Sequence, residues 1–141
     1  MFRRMACGIL LCAAALTSAC GDKLNPVVPD ATPITETFTG SVNPAGGATH
    51  SFVTLTGGTV KATLTTVGPD PAKNVGFSLG TFNTTLNTCT AVLDNPAALQ
   101  AFAFNATASS IGAYCVRIYD NGNITSDNVP YTYTITVVHP Q

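Results

Sequence analysis

The densest group of oxygen ligands in the chain is Asp120-Asn121-Gly122-Asn123, with Asp127 and Asn128 close behind. Two carboxylates, side-chain amides and turn carbonyls could supply several of the roughly six to eight oxygens that calcium takes. The spacing is not that of an EF-hand loop, where alternating acidic positions precede the glycine. The same residues suit a plain polar turn between two strands, since Asn-Gly adopts the positive φ angles that tight hairpins require. Tyr119 stands directly before this loop. Its aromatic face could stack on the apolar face of a sugar, while Tyr131 and Tyr133 fall on the inward phase of an alternating strand and belong with a core. His50 and His139 are the only histidines. With no G-x-S-x-G motif and only scattered carboxylates, both read as structural: His50 lines a strand with Phe52, and His139 closes the last one. The expectation is a protein that is not an enzyme and carries no cofactor.

A second kind of chemistry lies at the N-terminus. MFRRMACGILLCAAALTSAC places Arg3 and Arg4 before an apolar run from Met5 to Leu16, then the small residues Thr17, Ser18 and Ala19 before Cys20. Basic region, short apolar region and small-residue cleavage site form an export leader over residues 1–19, too short to remain as a membrane span. An ordinary leader peptidase could cut here and leave Cys20 as a free thiol. Alternatively, Leu16-Thr17-Ser18-Ala19-Cys20 resembles the bacterial lipoprotein signal, which implies a diacylglyceryl thioether on Cys20 and acylation of its new amine. Each acyl methylene buried in a bilayer contributes about 0.8 kcal/mol, so two or three chains anchor durably where one is marginal. Gly21 in place of an acidic residue implies, by the same resemblance, an outer-membrane destination and a lipid-anchored place in the cell envelope, facing periplasm or exterior.

Cys7 and Cys12 leave with such a leader, so the exported part keeps Cys89 and Cys115 besides Cys20. A pair in an oxidising compartment reads as a disulfide; two buried thiols or a zinc pair are the alternatives, the latter without any CxxC spacing. From Cys20 onward the chain has four basic and seven acidic side chains, a net −3. That excludes the clustered Lys and Arg that nucleic acid requires. The partners expected are therefore a membrane, through the N-terminal lipid, and a protein or glycan of unassigned identity.

The elements that must position these residues follow from period and punctuation. Residues 20–34 hold Pro26, Pro29 and Pro33 without periodicity, and read as a semi-extended tether that holds the domain off the membrane. Pro26-Val27-Val28-Pro29 lacks the basic neighbours of a proline-rich ligand. From residue 35 the period is two. Val60, Ala62 and Leu64 alternate with Thr59, Lys61 and Thr63, while Tyr131, Tyr133, Ile135 and Val137 alternate with Thr132, Thr134 and Thr136. Further strands are predicted near 36–42, 49–56, 75–82, 89–93, 99–105 and 113–120. Turns fall at 43–47, 57–58, 68–71, 94–96 and 121–122. Residues 96–103 are the one helical candidate, read in preference as a turn running into a strand. Arg117 shares a strand face with Cys115 and Tyr119, an exposed or edge face. Three Asn-x-Thr triplets, at Asn83, Asn105 and Asn123, match glycosylation sequons but arise readily in so Thr-rich a chain.

Seven to eight short strands without a convincing helix predict an all-β, antiparallel β-sandwich over residues 35–141, jelly-roll or immunoglobulin-like, with one disulfide. HSFVTLTGGTVKATLT, NVGFSLGTF, the Gly112-Ala113-Tyr114 entry into YCVRIYDNGN and the closing YTYTITV together resemble the bacterial pre-peptidase C-terminal domain. That resemblance implies a small β-sandwich appended to exported proteins. Function is then expected to be non-catalytic, a binding or structural module of the bacterial envelope; the alternatives are an accessory to an exported hydrolase or protease, and a carbohydrate-binding module.

Overall fold

A computed structural model describes residues 31–125 and 130–141. Eight strands run in chain order: β1 (Pro33–Val42), β2 (Gly47–Thr54), β3 (Gly58–Gly68), β4 (Val75–Asn83), β5 (Thr88–Ala98), β6 (Ala103–Ala108), β7 (Gly112–Tyr119) and β8 (Tyr131–Pro140). They form two four-stranded antiparallel sheets, ordered β1-β8-β3-β6 and β2-β7-β4-β5. Apart from the β4–β5 hairpin, each strand passes to the opposite sheet from its predecessor. This nesting of β1 with β8, β2 with β7 and β3 with β6 is the jelly-roll order rather than the immunoglobulin one.

Period-two patterning builds the core. Val60, Ala62 and Leu64 of β3 are buried, as are Tyr131, Tyr133, Ile135 and Val137 of β8, and they meet Phe52, Phe77, Leu79, Val116 and Ile118 of the other sheet. Each large apolar side chain so buried contributes about 1.5–3 kcal/mol of transfer free energy. The intervening threonines face outward, where a β-branched hydroxyl suits a solvated pleat.

One stretch departs from the sequence reading. A turn is predicted at 94–96, yet β5 runs through it to Ala98. Register explains why: Val75 pairs with Ala98 but Phe77 with Asn95, so Pro96 and Ala97 together oppose Gly76 in a bulge. Pro96 has no N–H to donate, and β5 is an edge strand, where that loss is tolerated. The turn falls instead at 99–102, closed by the Phe102 amide on the Leu99 carbonyl (3.0 Å) with Ala101 at φ 71°. No helix forms over 96–103, and β6 begins only at Ala103.

The sandwich has two chemically distinct ends. At the first, Pro33 pairs with Pro140, Gln141 donates its amide to the Thr32 carbonyl (3.3 Å), and loops 55–57, 84–87 and 109–111 turn the chain. The described chain therefore begins at this end. At the opposite end lie the turns at 43–46, 69–74 and 99–102 and the segment beginning at Asp120.

Candidate binding face

The outer face of the β2-β7-β4-β5 sheet carries Arg117 and Tyr119 on β7, close to the end opposite Pro33 and Pro140. Tyr119 pairs across the ladder with Gly76 of β4, and a Cβ at Gly76 would lie 2.1 Å from the Tyr119 ring. Only glycine allows the ring to rest on the strand in this way. The phenol hydroxyl donates to both carboxylate oxygens of Asp94 at 3.0 Å. The Arg117 guanidinium sits 5.1 Å from the ring centroid, within cation–π range. Burial, the bond to Asp94 and the Asp94 charge raise the Tyr119 phenol above its ordinary value, against an opposite pull from Arg117. Arg117 is exposed and, among the described residues, pairs with no carboxylate. The result is a held aromatic ring beside one exposed guanidinium and one carboxylate.

Behind this platform, Asp120 acts as a clamp. Its Oδ1 accepts from the backbone amides of Gly122 (2.8 Å), Asn123 (3.0 Å) and Ile124 (3.0 Å), while Oδ2 accepts from the Ala45 amide of the β1–β2 turn (2.7 Å). Slight burial pushes the carboxyl upward, but the amides of Ala45, Ile124, Gly122 and Asn123 outweigh it and hold the group below the usual carboxylate range. Asn121 donates its side-chain amide to the Pro96 carbonyl, and Asn123 donates to the Asn74 and Asn121 side-chain oxygens. The structure thus turns Asp120, Asn121 and Asn123 toward backbone and one another. Among the described residues no cluster of three His, Cys, Asp or Glu side chains could hold a metal. Asp127, the other acidic member of the calcium candidate, and Cys20 lie outside the described residues.

Cys89 and Cys115 form the disulfide, with Cα atoms 5.9 Å apart. Because β4 lies between β5 and β7 in the sheet, the bridge passes over it. Gly80 makes the passage possible: a Cβ there would stand 1.9 Å from the Thr90 carbonyl oxygen, so β5 leans across the glycine toward β7.

Both histidines are structural in their contacts. His50 stacks on Phe38 (centroids 4.9 Å apart) and its Nε2 lies 2.8 Å from the Tyr133 hydroxyl, with burial lowering its pKa. His139 is fully buried, its Nε2 2.9 Å from Glu36 Oε1, its Nδ1 3.2 Å from the Pro140 carbonyl, and its ring against Phe52. Between the sheets, Val60, Leu79, Val92, Leu93 and Tyr114 line an apolar cleft of about 80 Å³, well short of the roughly 300–1,000 Å³ of small-molecule sites. Two residues of the platform, Asp94 and Gly76, have no signal in the sequence that links them to Tyr119; pairing of Ser78 with both Asp94 and Arg117, and of Gly76 with Tyr119, brings them together across β4.

No family model matches the chain, and no curated protein does either. Among solved structures it is similar to the Yersinia pseudotuberculosis-derived mitogen, with a TM-score of 0.50 and 16% identity over 77% of this chain and 87% of that one. The likeness is one of fold, an antiparallel β-sandwich.

Proposed function

We propose that this protein is an extracytoplasmic lipoprotein, anchored through acylated Cys20, whose sandwich is a non-catalytic binding module of the bacterial cell envelope. The observation that carries this reading is an opposition of ends. The chain leading from Cys20 enters the domain beside Pro33, while the platform of Arg117, Tyr119 and Asp94 lies toward the far end and faces outward. A tethered domain so arranged holds its polar face toward whatever lies beyond the membrane surface. Non-catalytic character fits the surroundings of both histidines and the pairing of Cys89 with Cys115, which leave no activated nucleophile among the described residues. Membership of the pre-peptidase C-terminal modules belongs to the same proposal, and rests on the strand motifs quoted above.

Intact-mass measurement of the protein from the membrane fraction tests the anchor. The expected mass is that of the chain from Cys20 carrying diacylglycerol and an acyl chain, absent in Cys20→Ala; an unlipidated product overturns it. A carbohydrate partner is the second reading, favoured by the Tyr119 ring, which is held on Gly76 yet stays part-exposed. Retention on a polysaccharide column that disappears in Tyr119→Ala supports it; equal elution of both proteins removes it.

A further inference from the structure

We propose that the tether end of the sandwich is a membrane-docking surface: its three loop tips sit in the interface of the same bilayer that holds Cys20. This rests on the lipoprotein reading and goes beyond it, since an anchor alone leaves the domain free to stand off.

The first observation concerns charge. Loops 55–57, 84–87 and 109–111, together with the strand residues that flank them and residues 31–35, contain no Asp, Glu, Lys or Arg. The one titratable side chain nearby on β8, His139, is fully buried against Glu36 and Phe52. All the charged side chains among the described residues lie on strand interiors or toward the other end, from Glu36 and Lys61 to Asp70, Lys73, Asp94, Arg117 and Asp120. A water-facing end of a soluble domain ordinarily mixes charges into its loops.

The second observation concerns apolar exposure. Leu55 is 52% exposed, Leu86 69% and Ile111 68%, and each belongs to a different one of the three loops; Val53, just below Leu55 on β2, is 47% exposed. These tips are neighbours. Thr54 pairs with Gly112, which sets Leu55 beside Ile111, and Thr81 pairs with Tyr114, which brings the β4–β5 hairpin carrying Leu86 to the same level. An isolated exposed leucine needs no explanation, but three apolar tips side by side, on loops without a charged side chain, mark a contact surface.

The third observation selects the occupant. Gln141 donates its side-chain amide to the Val53 carbonyl (3.4 Å) and its backbone amide to Thr32, so the chain from Cys20 reaches the domain at this end and no other. The eleven or so residues between Cys20 and Thr32 span at most about 40 Å fully extended, comparable to the length of one ten-residue strand. A tether of that reach keeps these tips, rather than the opposite end, within range of the bilayer. Leucine and isoleucine tips ringed by threonine, serine and asparagine suit the headgroup–acyl boundary, and the lack of Lys and Arg makes the contact hydrophobic rather than one with anionic headgroups.

The chain contains no tryptophan, so single substitutions report cleanly. The full chain carrying Leu86→Trp at a tether-end tip, or Leu99→Trp at the opposite end, is expressed in a bacterium. Each lipoprotein is then reconstituted into phosphatidylethanolamine–phosphatidylglycerol vesicles with or without brominated acyl chains, and intact mass is read on the same samples. Leu86→Trp should show blue-shifted emission quenched about two-fold or more by brominated lipid, and Leu99→Trp should be unaffected, as expected for insertion of about 5–10 Å. A lipidated protein in which Leu86→Trp is unquenched, or in which both sites are quenched alike, overturns the docking surface and leaves the anchor standing. Blue-shifted emission at Leu86→Trp without quenching means that protein covers the tip, and also overturns it. An unlipidated mass overturns the anchor, and the docking surface with it.

Discussion

The two ends of the sandwich are held together by different chemistry. Toward the end where Pro33 pairs with Pro140, the edge strand β5 is fixed to β7 by a covalent bridge that crosses β4 at Gly80, and the loops beyond it hold no charged side chain. At the opposite end no bridge exists among the described residues. One carboxylate, that of Asp120, joins the β1–β2 turn to the segment after β7 through four backbone amides. A covalent link is indifferent to pH and salt, whereas an anionic acceptor works only while ionised. The end bearing the candidate binding face is thus the one whose order depends on solution conditions.

That contrast can be broken at its strong point first. Replacing both Cys89 and Cys115 by alanine opens a loop whose ends are 26 residues apart, and in the chain-entropy account the loss is about 3.5 kcal/mol. Denaturant titration should show this loss equally at pH 4 and pH 7. A loss below about 1 kcal/mol would mean that the lean of β5 over Gly80 holds itself without the bridge.

Asp120→Asn should have a smaller effect with a different signature. The variant keeps one oxygen acceptor but turns a second amide donor toward Ala45, and the expected cost is about 1 kcal/mol once solvent screening is allowed for. The folded-state pKa of Asp120 lies below its unfolded value. Its contribution is therefore present above the ordinary carboxylate range and lost as pH falls through the folded value. Wild type and variant should differ at pH 7 and converge only as pH falls below the ordinary carboxylate range, through the folded value of Asp120. A gap that persists in acid would show that the amide donor clashes, and that the clamp is steric rather than ionic.

Smallest of all should be the effect of Leu86→Ser with Ile111→Ser on the stability of the domain, within about 0.5 kcal/mol by melting of the detergent-solubilised protein. A larger loss would make those tips part of the core instead of a surface held in reserve for a membrane.

Strands whose side chains alternate cleanly were legible from sequence, since β3 and β8 each bury one face and the pattern repeats every second residue. The disulfide followed from cysteine number and the expectation of an oxidising compartment. The course of β5 did not, because Pro96 and its neighbours look like a turn to any local reading and become strand only through a bulge opposite Gly76. Asp94 was also invisible as a partner of Tyr119, because their meeting depends on the register of three strands at once. Jelly-roll order was equally hidden, since hydrophobic period fixes which face is inward and says nothing of which strand lies alongside.

The pairing of β1 with β8 has a consequence for the export proposed above. Pro33 to Val42 find their ladder partners only in Tyr131 to Pro140, and β2 likewise waits for β7. A chain threaded N-terminus first across a membrane thus presents its opening strands long before their partners emerge, and neither sheet can close around them meanwhile. Non-local pairing of this kind makes folding slow, on the order of milliseconds to seconds. On the export route proposed above, translocation would therefore act on an unfolded polymer, with neither sheet complete until β7 and β8 have emerged.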